Sequence, residues 1–313
     1  MPSGPLAVIF ESAAQRRPAE RAMHASRYLQ LDVFPARTGG GNPLGVVVDA
    51  AEWTSARMQT FAAWTGLVET TFVLPPTSPD ASYRLRIFTP DREIPFAGHP
   101  TIGSAHAVLE TGVALARDGR LVQECGAGLL PIRVEGDGAA RRLFVQAPAA
   151  RVLREDPDEA LLVKLLAGIR RGALPPAFVE GGRRWWIAEL ADESALRSWM
   201  PDHAAIGALA RATDSLGLCV FARSISQDYE LVVRAFPAGV GIVEDPASGA
   251  ANGLVAAWIA KAEPDGALAK GYRVSQGREI GHDAAILVRI EGDEVWVGGR
   301  TETVVAGTAR WPD

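Results

Sequence analysis

The sequence predicts an α+β fold of two related, β-rich lobes, each wrapped around one central helix. Three observations carry this. A short pattern occurs twice: Arg86-Ile-Phe88 and Arg234-Ala-Phe236 each lead into a turn-rich loop, a polar residue and Pro, then a Gly–small–Ala step at Gly103-Ser104-Ala105 and Gly249-Ala250-Ala251. A largely apolar helix follows each copy, as an enclosed helix requires. Around them lie many strand-like runs whose connections are mostly too short for parallel crossovers, so antiparallel pairing should predominate.

Residues 1–27, with Arg16, Arg17, Arg21 and Arg27 interrupted by Glu11 and Glu20, read as an N-terminal extension. Strands are expected over Tyr28–Phe34, Leu44–Val48, Thr70–Leu74 and Tyr83–Phe88, from alternation and β-branched content. Helical spacing covers Trp53–Trp64, with Gly66 as its end signal. Proline suits the first helical position, which predicts helices from Pro100 to Glu110 and from about Ala247, after Pro246, to Ala262. Strands follow near Leu121–Glu124, Leu129–Val134 and Leu143–Val145. Ala147-Pro-Ala-Ala150 marks the boundary between a first lobe, 28–148, and a second, 149–313. The second half holds a helix over 157–166 with Asp156 as cap, a strand at Trp185–Ala188, a helix over Pro201–Ala212 and a strand from Gly217 to Phe221. Strands at Tyr272–Ser275, Ala285–Ile290 and Val295–Val297 close it, with one more near Thr303–Val305.

With 32 basic and 37 acidic residues the net charge is −5, and no dense Lys/Arg block is present, which argues against a nucleic-acid or acidic-membrane partner. No apolar run approaches the ~20 residues of a membrane span. The two cysteines, Cys125 and Cys219, form no CxxC or framework, and reduced thiols in a cytoplasm are the default.

Candidate chemistry gathers at the two helix mouths, where unpaired N–H groups and the macrodipole attract anions. His99 opens one mouth and Asp245 the other; alone each is a cap or loop residue, together a pair of titratable groups at related positions. Glu69 lies in the apolar stretch Gly66-Leu-Val-Glu-Thr-Thr-Phe. It is either a strand-end carboxylate facing water or a general base whose pKa burial has raised toward the working pH. Asn42, after three glycines, turns an amide to a ligand or simply makes a turn. His99 and His106 stand two helical turns apart, about 10.5 Å, too far for one metal. With no HExxH or Cys/His cluster, no metal is expected, and P-loop, GxGxxG and GxSxG signatures are missing.

Four of these stretches together, Gly41-Asn42-Pro43, Glu69-Thr-Thr-Phe-Val, Phe96-Ala-Gly98-His99-Pro100-Thr-Ile-Gly103 and Glu244-Asp245-Pro246-Ala-Ser-Gly249, resemble the PhzF-like isomerases of phenazine biosynthesis, over about residues 28–310. The resemblance implies a diaminopimelate epimerase-like fold with the site between the lobes and a closing strand crossing back to the first. It implies a cofactor-free isomerase, commonly a homodimer, acting on a small cyclic or allylic carboxylate. Glu69 is then the acid/base, His99 and Asp245 its polar partners. Asn42, Gly98, Gly249, Ala250 and Gln276 line the substrate pocket. The chain departs from the family pattern at Val68 and Ala250, where the characterised phenazine enzymes look to carry serines, and at Gly281-His282-Asp283, where Gly-Arg-Pro is usual. The related two-cysteine racemases are excluded because the mouths carry Gly98-His99 and Asp245. An epimerase without that pair, or a non-catalytic acid-binding protein on the same fold, stays open as an alternative.

Overall fold

Short β-branched and aromatic runs, each cut by Gly, Pro or Asp turns, give this chain more strand than helix. The computed structural model describes residues 24–155 and 158–312. β1 (His24–Val33) pairs antiparallel with β2 (Asn42–Val47). α1 (Ser55–Thr65) leads over to β3 (Thr70–Leu74), parallel to β2. β4 (Tyr83–Phe88) returns antiparallel, and β5 (Glu93–Ile94) folds back on it. α2 (Gly98–Glu110) crosses to β6 (Arg120–Cys125), parallel to β4. β7 (Gly128–Glu135) and β8 (Arg142–Gln146) complete the first half as antiparallel neighbours.

The second half repeats this order. β9 (Arg151–Glu155), the short helix α3 (Ala160–Leu165) and β10 (Ala177–Gly181) lead in, β9 antiparallel to β10. β11 (Arg183–Glu189) is antiparallel to β10, and α4 (Glu193–Ser198) with α5 (His203–Thr213) carries the chain to β12 (Gly217–Arg223), parallel to β11. β13 (Leu231–Phe236) is antiparallel to β12. α6 (Gly249–Ala262) then crosses to β14 (Gly271–Gln276), parallel to β13. β15 (Ala284–Glu291) and β16 (Glu294–Gly299) follow antiparallel, and β16 also pairs with β8, joining the halves. β17 (Thr301–Trp311) runs back along β1, with His24 opposite Trp311.

Among the described residues, four strand pairs are parallel: β2–β3, β4–β6, β11–β12 and β13–β14. Each spans a helix, the length of connection a parallel crossover needs, and they fall two to a half in the same order. α2 and α6 are the enclosed helices. Ile102, Ala105 and Val108 of α2 and Val255, Ala256 and Ile259 of α6 are fully buried in one core with both sets of strands. At Gly103 a Cβ would sit 2.5 Å from a Leu44 methyl and 2.9 Å from a Val33 methyl, so any larger residue there would lift α2 off the sheet. α1 packs outside, with Trp53, Met58 and Phe61 against Phe72 and the flank of Trp311. The helices of the second half cover Trp186, Val220 and Phe236. No helix among the described residues is long and apolar enough to cross a membrane.

Several boundaries differ from the sequence reading. β1 starts at His24, so residues 24–27 of the segment 1–27 belong to the sheet rather than to an extension, because β17 supplies them with hydrogen-bonding partners. Residues 1–23 lie outside the described residues, as do Asp156, expected as a cap, and Pro157; α3 is capped instead by Glu159. α2 begins at Gly98, with Pro100 inside its first turn, where a missing N–H breaks no intrahelical bond. α6 begins at Gly249 because the Ser248 hydroxyl caps the Ala251 N–H. Asp245 and Pro246 form the turn ahead of it.

Candidate active site

Glu69 is the residue just before β3. α1 ends on Gly66 in the left-handed conformation (φ 66°), which lets the chain reverse ahead of Glu69. The residue is 8% exposed. His99, in the first turn of α2, is 6% exposed, and its Nε2 faces Glu69 Oε2 at 3.4 Å. Neither atom has a hydrogen-bond partner among the described residues.

Asp245 is held from both sides. Its N–H donates to the Ala235 carbonyl of β13 (2.9 Å), and its Oδ1 accepts the Ala247 N–H (3.2 Å), closing an Asx turn. Its neighbour Glu244 accepts two bonds from buried Arg234, at 2.9 and 2.8 Å, while Arg234 also donates to the Leu196 and Trp199 carbonyls. The first half uses the same device. Arg86 of β4 donates to Glu93 at 2.7 and 2.5 Å. Each guanidinium also lies over the Phe two residues on, 5.1 Å from the Phe88 ring and 5.2 Å from the Phe236 ring. The repeated Arg-x-Phe is therefore an anchor: a strand Arg grips a Glu on the segment leading to the next helix and fixes its path.

The two helix starts meet. A Cβ on Gly98 would lie 3.4 Å from the Gly249 Cα and 3.8 Å from the Ala250 nitrogen. No side chain caps the first turn of α2. Two positive helix ends thus converge at one point, an arrangement that favours a carboxylate or other anion. Gly98, Gly249 and Ala250 all border this point.

Asn42, buried at the start of β2, ties the halves together. Its Nδ2 lies 3.0 Å from Asp245 Oδ1, 3.1 Å from the Ala247 carbonyl and 3.3 Å from His99 Nδ1. Gln276 differs from expectation. It is fully buried, donating to the Asp245 carbonyl (2.8 Å) and accepting from the Ser248 N–H (3.3 Å) and the Asn252 amide (2.9 Å), so its polar atoms are committed to shaping the turn before α6. Burial, with Asp245 nearby, pushes the Glu69 carboxyl up to about 8. Burial also raises Asp245, against the opposing Ala247 N–H, and holds the His99 imidazole down to about 3, so that ring is neutral. A carboxyl poised near neutrality beside a neutral imidazole and an anion site suits proton transfer at carbon.

Sequence reasoning missed Asn252, His282 and the two Arg–Glu anchors. Both arginines and both glutamates stood inside the repeated stretches. The signal available was that each Arg-x-Phe is followed within its loop by one Glu.

The chain matches the PhzC-PhzF family, described as phenazine biosynthesis-like protein, over residues 31–310. It belongs to that family. A PhzC-PhzF relative, the trans-2,3-dihydro-3-hydroxyanthranilate isomerase of Pseudomonas aeruginosa, is 33% identical, covering 85% of this chain and 91% of its own. Antisense-enhancing sequence 1 of Schizosaccharomyces pombe is 31% identical over 90% of this chain and 97% of its own. The crystal structure of the Bacillus anthracis PhzF-family protein superposes with a TM-score of 0.77 at 23% identity, covering 92% and 99% of the two chains. The fold is therefore the PhzF one, and the chain is an isomerase of this family. His282 Nδ1 lies 2.7 Å from the Gly41 carbonyl, so it braces the loop leading to Asn42.

Proposed function

We propose that this protein moves a proton within a small cyclic or allylic carboxylic acid, with Glu69 as the single acid/base. The observation that supports this most directly is Glu69 Oε2 facing His99 Nε2 at 3.4 Å beside two touching helix starts. The substrate carboxylate sits at the helix starts, each contributing roughly 0.3–2 kcal/mol. Glu69 as carboxylate removes an activated C–H proton. The electron pair left behind delocalises toward the substrate carboxyl, where helix-start N–H groups stabilise the charge. The Glu69 acid so formed returns its proton at a second carbon, and the base is regenerated. One carboxylate acts first as base and then, as the acid, as donor, exchanging its proton with solvent between the two steps, so the reading calls for no cofactor.

Val68, next to Glu69 in sequence and 37% exposed, and Ala250, exposed at the start of α6, carry methyl groups where a serine would carry a hydroxyl. This favours an acid with fewer polar substituents than the compound named for the Pseudomonas relative. That compound and simpler cyclic and allylic acids form the test panel. Turnover in D₂O should place deuterium at the new C–H. Glu69→Gln, which keeps the shape but not the base, should lower turnover at least ~100-fold, about 2.7 kcal/mol of barrier. Because the carboxylate is the active form, kcat/KM should rise with pH and level off above about 8. A folded Glu69→Gln variant with full turnover would remove Glu69 from the mechanism.

A further inference from the structure

We propose that Asn42 is a positioning residue that sets the tautomer of His99, placing its ring proton on Nε2, toward Glu69. The argument begins with the Ala247 carbonyl. A carbonyl oxygen only accepts, so the Asn42 side-chain group 3.1 Å from it must be the NH₂ and not the amide oxygen. The same NH₂ lies 3.3 Å from His99 Nδ1, and an NH₂ only donates. Nδ1 must then present its lone pair. A neutral imidazole carries one proton, and with Nδ1 accepting, that proton is on Nε2. Nε2 is the atom that faces Glu69 Oε2.

The clamp is built to resist rotation. Asn42 is 1% exposed, and its NH₂ also faces Asp245 Oδ1 at 3.0 Å, so two hydrogens serve three acceptors on two different segments. The preceding loop is itself fixed: Asp32 accepts the Gly39 N–H at 2.6 Å, and the Asp283 N–H donates to the Gly40 carbonyl at 2.6 Å. With its proton on Nε2, His99 turns a partial positive charge toward Glu69 Oε2 across a 3.4 Å gap, which favours the carboxylate without a formed hydrogen bond. The opposite tautomer would present a lone pair to a carboxylate and repel it. Asn42 thus acts through His99 and is committed by its NH₂ to the protein, whereas the sequence alone left open an amide turned to a ligand or a plain turn. This inference rests on reading Glu69 as the proton carrier for its purpose, but its test does not depend on turnover.

The test is two-bond ¹H–¹⁵N correlation on full-length protein labelled at histidine, with the His99 signals assigned by their loss in His99→Gln. The expected wild-type pattern is Nε2–H with an acceptor Nδ1. In Asn42→Ala the expected pattern is a mixture or a switch to Nδ1–H. A purely structural Asn42 would lower the melting temperature and leave the Nε2–H pattern in place, which would overturn the proposal. A wild-type Nδ1–H pattern would overturn it too, and that measurement stands even where Asn42→Ala fails to fold. If the tautomer is as expected while Glu69→Gln retains turnover, the positioning role survives and the catalytic reading of Glu69 falls.

Discussion

Burying Glu69 couples the stability of the whole protein to pH through one side chain. A carboxyl raised from 4.5 to about 8 on folding adds stability that is fully present below about 4.5 and is lost as pH rises through about 8. His99 works in the other direction: lowered from 6.5 to about 3, it adds stability present above about 6.5 and lost as pH falls through about 3. Glu69→Gln should therefore be more stable than wild type at pH 9, by on the order of a few kcal/mol, and melt higher there, with the gap closing toward pH 5. Thermal melts followed by circular dichroism across that range check this. An equal gap at both ends would mean that Glu69 is ionised in the folded protein throughout. The sequence showed Glu69 as an acid in an apolar run, and the helix mouths as anion sites. It did not show that Gln276 faces inward or that Asn42 bridges three partners. Those roles depend on atoms brought together from segments some two hundred residues apart.

At the scale of elements, the two Arg–Glu anchors make a matched pair that differs in burial. Arg234 and Glu244 are 5% and 3% exposed, whereas Arg86 and Glu93 are 24% and 43% exposed. Removing one charge from the buried pair leaves the other unpaired, so Glu244→Gln should cost about 3–5 kcal/mol. Glu93→Gln, where water screens the partner, should cost no more than about 1 kcal/mol. Urea titrations of both variants measure the difference, and equal costs would remove burial as the cause. Ser248→Ala should cost about 1 kcal/mol through the lost cap of α6. Strands rich in β-branched residues were legible to the residue, as Thr70–Leu74 and Tyr83–Phe88 demonstrate. β9, β10 and α4 escaped because they are short, and because Arg and Glu interrupt β9 while Pro175-Pro176 precede β10. The helix starts were each misplaced by two residues, because Pro100 lies inside the first turn of α2 while Pro246 precedes α6, whose start the Ser248 cap sets.

For the whole molecule, the pairing of β17 with β1 has a consequence in time. On the ribosome, β1 emerges early and finds β2 within a few residues. Its other edge stays open until Thr301–Trp311 has been made, after every other described strand. An open edge with Leu29, Leu31 and Val33 at the core invites pairing with other chains. The nascent first lobe, complete with Glu69 and His99, must wait for the second lobe before it can close. A fragment ending at residue 300 should therefore aggregate or bind chaperone rather than fold, and adding residues 301–312 as a separate peptide should rescue part of it. Refolding of the full chain should be slow, in the range of milliseconds to seconds or longer typical of long-range β pairing. It should slow further when Trp311→Ala loosens the late strand from Phe61, whose ring it meets at 5.4 Å. Stopped-flow tryptophan fluorescence reads that rate, and an unchanged rate would place the closing of β17 after the step that limits folding.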